Sequence, residues 1–558
     1  MTTEKVTYGP NERIVVACGV RNRTGRTFAG LMLHVDVDGP FGERLTGLEA
    51  EIGELLPGES KAVALDLRPF EALRRGSPSA AFVLVARLGD GVPRARWVFD
   101  VSPKWSLAPR YGFFTDYPRK DARIRSKIRR MMRFHINAIQ FYDWFKSHGD
   151  YMPAEREYSL LRNDISLDGV LQKVGAAREA GMKAMAYTVI YAASKDVYEP
   201  NKDSALLDAR SRPLMFGNWL YLMNPGDASH WSDVLIGEFI GSMSKFLWDG
   251  IHLDQYGEQW TRRARWRGKR VDVEGAFVSF INRAVAKMRE AHPQNAGLVF
   301  NNVNAWPLDR ICEQSETEVI YIEVWPPNDT YGDIVNLIRK ARRCDKSVVV
   351  AAYTPNRLPT ILLLDALVFS NRASRIEVGE GNRYLIDAYF PKNGVLHAAS
   401  LKALEAYYET ITRYQEFIYH RDVTELPAGS VRLAGRPAST TPSPGKVFLA
   451  AYSKEDGRKA WRITHLVNFC GISSMKWDSV QPRPRRATGL TLEIGLPAGR
   501  KVARAYFVSP DSGSSEPSRV DVAFERRDSK LTIRVPYLTY WDMVMVELEE
   551  EGQDHVGA

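Results

Sequence analysis

Cysteine is scarce in this chain, with four in 558 residues, at positions 18, 312, 344 and 470. None lies close to another in sequence. That spacing excludes a short-spaced structural zinc cluster and offers no disulfide framework, so unpaired thiols in a reducing compartment are the simpler expectation. Long apolar runs are missing as well. A membrane-spanning helix needs ~20 consecutive apolar residues, and charged residues, Gly or Pro interrupt every apolar stretch before that length. The opening MTTEKVTYGP has no basic region followed by an apolar one, which reads as cytoplasmic, or as secreted if a leader has been removed. Charge of one sign is not concentrated either. Lys and Arg total 76 against 67 Asp and Glu, a formal charge of +9, and the two signs are interspersed, which speaks against a nucleic-acid partner.

What is present is an ordinary folded composition, 44% hydrophobic, 26% charged and 11% aromatic, in a chain long enough for two to four domains. Residues 1–105 hold short β-rich runs separated by turn signals, among them RIVVACGVRN, LMLHVDVDGP, KAVALDLRPF, AAFVLVARLGDG and PRARWVFDVSP. This spacing predicts a small Ig-like antiparallel sandwich. From 106 to 425 an apolar strand, a polar loop and an amphipathic helix recur. Eight candidate strands can be counted: 111–117, 138–144, 183–191, 250–257, 297–304, 319–325, 347–355 and 373–380. Between them lie segments with apolar residues three and four apart, such as 121–135, 167–182, 230–248 and 273–292. Eight alternations fit a (β/α)8 TIM barrel, and no Gly-rich nucleotide loop follows the first strand, as a dinucleotide-binding sheet would require. Residues 426–558 return to β-rich runs and predict a C-terminal antiparallel β-sandwich domain, with a disordered end at EEEGQDHVGA.

Barrel enzymes place their chemistry at the carboxyl ends of the strands. Asp116 and Asp143 stand at the ends of the first two candidate strands, Asp254 lies in the fourth and Glu323 in the sixth. A carboxylate within an apolar strand is costly to bury unless it is paired or hydrogen-bonded. Strand parity puts His252, Asp254 and Tyr256 on one face, and likewise Tyr321, Glu323 and Trp325. Two carboxylates on non-adjacent strands, with aromatic companions, form the arrangement that sugar-cleaving barrels use for acid, base or nucleophile work and for stacking on sugar rings.

The runs INAIQFYDWFKSH, DGIHLDQYG, IYIEVWPP and AYFPKNGVL, in that order from Tyr111 to Leu396, resemble glycoside hydrolase family 66, the bacterial dextranases and cycloisomaltooligosaccharide glucanotransferases. The resemblance implies that Asp254 is the catalytic nucleophile and Glu323 the general acid/base, and that α-1,6-glucosidic linkages in dextran or isomaltooligosaccharides are cleaved endo-wise with net retention. It also implies substrate contacts from Asp143, with Trp144 and His148 beside it. The cyclising members carry a binding module inserted in the barrel; no β-rich insertion of that size interrupts these strands, which favours hydrolysis over cyclisation. Transglycosylation on the same scaffold, a different and anionic α-glycan, and a non-catalytic carbohydrate-binding protein are the alternatives.

Further binding candidates are Tyr191 at the end of the third strand, Trp260 in the loop after Asp254, and Asn302, grouped with Asn301 and Asn304 at the end of the fifth strand. Asp116 and Asp143 read equally as loop anchors. The segment TRRARWRGKR, 261–270, is either a solvated basic loop or a contact for an acidic saccharide. The alternating aspartates of HVDVDGPFGE lack the glutamate an EF-hand loop needs. Neither a metal nor another cofactor is expected.

Overall fold

The computed structural model describes residues 1–67, 79–89, 91–457, 459–514 and 516–551. It is multidomain and rich in β-structure. The centre is a sheet whose parallel strands are β1 (Tyr111–Phe114), β2 (Ala138–Phe141), β3 (Lys183–Val189), β4 (Gly250–Asp254), β5 (Gly297–Asn301), β6 (Ile320–Glu323), β7 (Val348–Ala351) and β8 (Ala373–Arg375). Each pairs with the next in chain order. After Arg375 the ladder is interrupted and resumes as β9 (Val378–Gly379), which pairs in parallel with β1, Val378 opposite Gly112. The sheet therefore curls until its last parallel segment meets its first. Gly112 is needed at this junction, because a Cβ there would stand 2.9 Å from the Val378 carbonyl oxygen.

Apolar residues on both faces suit strands buried on both sides: every residue of β1, β2, β5 and β7 is buried. The helices read from the 3.6-residue period are present as α1 (Ile124–Met132), α2 (Leu167–Glu179), α3 (His230–Phe246) and α4 (Val273–Ala291). They are followed by α5 (Leu308–Gln314), α6 (Tyr331–Arg342), α7 (Leu358–Ser370) and α8 (Ala398–Arg413). Helix α7 is predominantly apolar and buried from Thr360 to Ser370, as a helix must be when it is covered on both sides. Its end meets the C-terminal region, where the Tyr452 hydroxyl donates to the Ser370 carbonyl. The strands are shorter than their apolar runs suggest. β1 stops at Phe114 rather than at 117, and β4 at Asp254 rather than at 257, because the residues beyond carry polar groups bonded to other loops instead of to the ladder.

Before this sheet lie a three-stranded sheet (Thr2–Thr3, Ile14–Arg21, Ser60–Leu67) and a five-stranded one that includes Arg44–Leu55, a strand with no counterpart in the sequence reading. The last residues of KAVALDLRPF, 68–70, and Asp90 of AAFVLVARLGDG lie outside the described residues. After it come a seven-stranded and a four-stranded sheet enclosing their own core of Leu433, Leu466, Ile494, Phe507, Ile533 and Val546. The final strand, Trp541–Glu550, takes in the first two residues of EEEGQDHVGA; most of the remainder, 552–558, lies outside the described residues. The N-terminal and C-terminal regions are joined through Phe41, which stacks on Trp461 and Tyr506 at centroid distances of 4.7 and 4.6 Å.

Two expectations are corrected. Cys312 in α5 and Cys344 just past α6 form a disulfide, with Cα atoms 4.9 Å apart across 32 residues of sequence. Helix packing brings the two together, which their spacing does not reveal; Cys18 and Cys470 are unpaired. The expected reducing environment thus loses its basis. No helix among the described residues is long and apolar enough to cross a membrane.

Candidate active site

Asp254 closes β4 and Glu323 closes β6, and β5 lies between them in the sheet. The last residue of β5, Asn301, directs its side-chain amide between the two carboxylates. Nδ2 donates to Asp254 Oδ1 at 2.7 Å and to Glu323 Oε2 at 2.8 Å, while its Oδ1 accepts from the Glu323 backbone N–H at 3.2 Å. One nitrogen within reach of both means that these two oxygens are separated by no more than the two bonds laid end to end.

Each carboxylate has a second anchor. Tyr187, from β3, donates its hydroxyl to Asp254 Oδ2 at 2.6 Å, and the Gln255 N–H donates to Oδ1 at 2.8 Å. Tyr353, two residues past β7, donates to Glu323 Oε1 at 2.6 Å. The chain leaves β4 through Gly257, whose φ of 96° suits glycine, and Gln255 ties the turn to β5 by donating to the Asn301 carbonyl at 3.1 Å.

Both carboxylates open onto a cavity of about 560 Å³ walled by Tyr142, Phe216, Trp219, Tyr256, Trp260, Trp325 and Tyr389. A roomier hollow of about 830 Å³ lies near Lys346 and Gln415, but neither Asp254 nor Glu323 lines it. The aromatic wall is itself packed: Phe216 stacks on Tyr256 at 3.9 Å and meets Trp260 edge-on at 4.9 Å. Trp325 is 41% exposed, leaving an indole face free for an apolar partner.

The electrostatics follow from desolvation and from crowding of like charges. Burial, and then the Asp254 charge, push Glu323 up to about 7 against the opposing hydrogen bonds of Tyr353 and Asn301. Burial also raises Asp254, countered by the donors Tyr187, Asn301 and Gln255. Asp143, on the same cavity, is pushed up to about 8 by burial and by Asp254. Its φ of 48° lies in the left-handed region that Asp tolerates better than most residues. Among the described residues, no three His, Cys, Asp or Glu side chains are grouped as metal ligands.

Of the other residues singled out from sequence, Asp143, His148, Tyr256, Trp260 and Trp325 line the cavity. His148 is buried, meets Trp219 edge-on at 5.2 Å, and is lowered to about 3 by desolvation. Five do not line it. Asp116 is exposed two residues beyond β1, and only its backbone oxygen is engaged, by Lys173. Trp144 is fully buried, its indole N–H donating to the Tyr187 carbonyl at 3.1 Å, and so belongs to the core. Tyr191 is fully buried, its hydroxyl accepting from the Tyr256 N–H at 2.5 Å. His252 lies under the site against Tyr111, Tyr187 and Tyr321, its Nδ1 3.1 Å from the Tyr111 hydroxyl. Asn302 donates to the Phe300 and Tyr321 carbonyls; its neighbour Asn301 holds the bridging position. Tyr187 and Tyr353 were not singled out, since each lies in an apolar strand run and pairs with a carboxylate that is distant in sequence.

Comparison with known proteins identifies the family. Residues 88–545 match the family model described as glycosyl hydrolase family 66. Two curated relatives, both named cycloisomaltooligosaccharide glucanotransferase and both from Niallia circulans, are 21% identical, over 98% of this chain and 71% and 72% of theirs. A solved Paenibacillus sp. cycloisomaltooligosaccharide glucanotransferase, complexed with cycloisomaltoheptaose, shares the fold with a TM-score of 0.84 at 18% identity, over 97% of this chain and 98% of that one. With the match extending over most of its length, the chain belongs to glycosyl hydrolase family 66.

Proposed function

We propose that this protein breaks α-1,6-glucosidic linkages by double displacement with retention and passes the glucosyl unit to a sugar hydroxyl in competition with water. Transfer is placed ahead of simple hydrolysis because both curated relatives, matched over 98% of the chain, are glucanotransferases. On this reading the curled sheet is a (β/α)8 barrel spanning 106–425, between an Ig-like sandwich (1–105) and a C-terminal β-sandwich domain (426–558), and the carboxylates stand at its strand ends. The bound glycan is an α-glucan or its oligosaccharides, and the Cys312–Cys344 disulfide suits a secreted enzyme.

The observation that carries the proposal is the Asn301 bridge, with bonds of 2.7 and 2.8 Å to Asp254 and Glu323. It holds the two carboxylates on the side of the ~5 to 5.5 Å separation of retaining glycosidases, against ~6.5 to 9.5 Å in inverting ones. Asp254, whose ionised form three donors favour against its burial, attacks the anomeric carbon while protonated Glu323 gives its proton to the departing oxygen. The glucosyl ester removes the Asp254 charge, so the pKa of Glu323 falls; having given up its proton to the leaving oxygen, Glu323 stays ionised and takes a proton from the incoming hydroxyl as base. Asp143, His148, Tyr256, Trp260 and Trp325 contact the sugar chain.

The test is incubation with dextran, isomaltooligosaccharides and α-1,4-glucans, followed by product analysis. Rings or elongated α-1,6 chains support transfer, and linear short products support hydrolysis. Cleavage confined to α-1,4 linkages, or a first-formed β-anomer, contradicts the proposal.

A further inference from the structure

The loop after β4 carries six cations in ten residues: Arg262, Arg263, Arg265, Arg267, Lys269 and Arg270. It folds as an antiparallel hairpin, Arg265–Trp266 against Lys269–Arg270, with Trp266 opposite Lys269. The tip residues Arg267 and Gly268 have φ of 49° and 77°, the left-handed pair demanded by a two-residue turn that follows the strand twist. Asn, Asp or Gly ordinarily fills the first of these positions. Here it is an arginine, whose guanidinium lies 4.3 Å from the centre of the Trp266 ring. An exposed, conformationally unfavourable position is thus given to a cation.

Most of this charge is unmet within the protein. Arg262 pairs with Glu258 at 2.9 Å. Arg263, Arg265, Arg267, Lys269 and Arg270 are exposed, and among the described residues none of the five has a carboxylate within ion-pair distance.

The hairpin is also fixed to the wall of the cavity. Arg265 and Leu207 exchange backbone hydrogen bonds of 2.8 and 2.9 Å, and the Trp266 indole donates to the Asp203 carbonyl at 2.8 Å. The segment reached in this way continues through Leu214 to Phe216, Trp219 and Leu220, which line the cavity. On the other side the hairpin is continuous with Trp260.

We propose that the Arg265–Arg270 hairpin, with Arg263, is a binding site for anionic groups, phosphate or carboxylate, carried on the saccharide chain that enters the cavity. This rests on reading the cavity as a glycan cleft. Guanidinium groups match both anions bidentately, and unpaired cations at a cleft mouth raise the local concentration of an oppositely charged chain. The neutral aromatic wall holds the sugar at the reacting linkage, and the hairpin holds charge farther along the same chain.

Equilibrium binding of the full chain to size-matched dextran, carboxymethyl-dextran and dextran phosphate tests this without requiring turnover. At about 50 mM salt the protein is expected to bind at least one anionic dextran roughly tenfold more tightly than dextran, the advantage shrinking at about 500 mM. The two anionic arms distinguish carboxylate from phosphate. The combined variant Arg263→Gln, Arg267→Asn, Lys269→Gln, in which Asn suits the turn, should lose the advantage. Arg263→Gln alone, outside the turn, should reduce it roughly twofold. Equal affinity for all three dextrans, an advantage retained in the combined variant, or equally tight binding of single-stranded DNA of similar charge would overturn the proposal. Loss of α-1,6 cleavage with anion-dependent binding intact would count against the glucan-cleaving function alone.

Discussion

Asn301 Nδ2 lies 2.7 Å from Asp254 Oδ1, and the same nitrogen donates at 2.8 Å to Glu323. The amide neutralises neither carboxylate; it fixes their spacing and favours the ionised form of each. Asn301→Ala should lower kcat by about 10²-fold, the scale of misplacing reacting groups by an ångström, with a much smaller change in KM. Steady-state kinetics on an isomaltooligosaccharide, with circular dichroism as a check on the fold, measures this.

The two tyrosine anchors should act on opposite limbs of the pH profile. Tyr187 lowers the pKa of Asp254 and Tyr353 lowers that of Glu323. Tyr187→Phe should therefore raise the acid-side pKa of kcat/KM, since Asp254 must be ionised. Tyr353→Phe should raise the base-side pKa from its place near 7, since Glu323 must be protonated. A pH–rate profile of each variant checks the assignment.

Burial of Glu323 carries a cost in stability. Its pKa is raised from 4.5 to about 7 in the folded protein, so the unfolded chain ionises first. Stability is full below the ordinary value and declines as pH rises through the window up to 7. Glu323→Gln should thus be more stable than the parent by on the order of 1 to 3 kcal/mol at pH 8, and close to it at pH 4. Thermal unfolding at the two pH values measures the difference.

A second buried charge cluster has a structural role. Arg375, at the end of β8, is fully buried and donates to Asp365 at 2.8 Å and Glu377 at 3.0 Å, both fully buried as well. Arg375→Met leaves two adjacent buried carboxylates without their cation, and should destabilise the protein by about 3 to 5 kcal/mol. Denaturant unfolding measures the loss.

The alternation of strands and helices was legible because both periodicities are strong in 106–425. Asp254 and Glu323 were legible because a carboxylate in an apolar strand needs a compensating environment. Their partners were less so. Tyr187 and Tyr353 look like ordinary strand aromatics, and only the curl of the sheet brings them to the carboxylates. Asn301 and Asn302 differ by one position, and strand parity decides which of them faces the two carboxylates. Trp144 stands beside Asp143 in sequence, yet its side chain enters the core, since consecutive residues at a strand end diverge. The disulfide was invisible for the same reason: the packing of α5 against the end of α6 determines it.

The central claim is that Asp254 forms a covalent bond to the sugar while Glu323 manages the proton. Trapping the intermediate with 5-fluoro-α-glucosyl fluoride, followed by proteolysis and mass spectrometry, tests it most directly. The expected result is a single glucosyl label on the peptide containing Asp254. A label on Glu323 or Asp143, or no covalent label while the reagent is consumed, would contradict it.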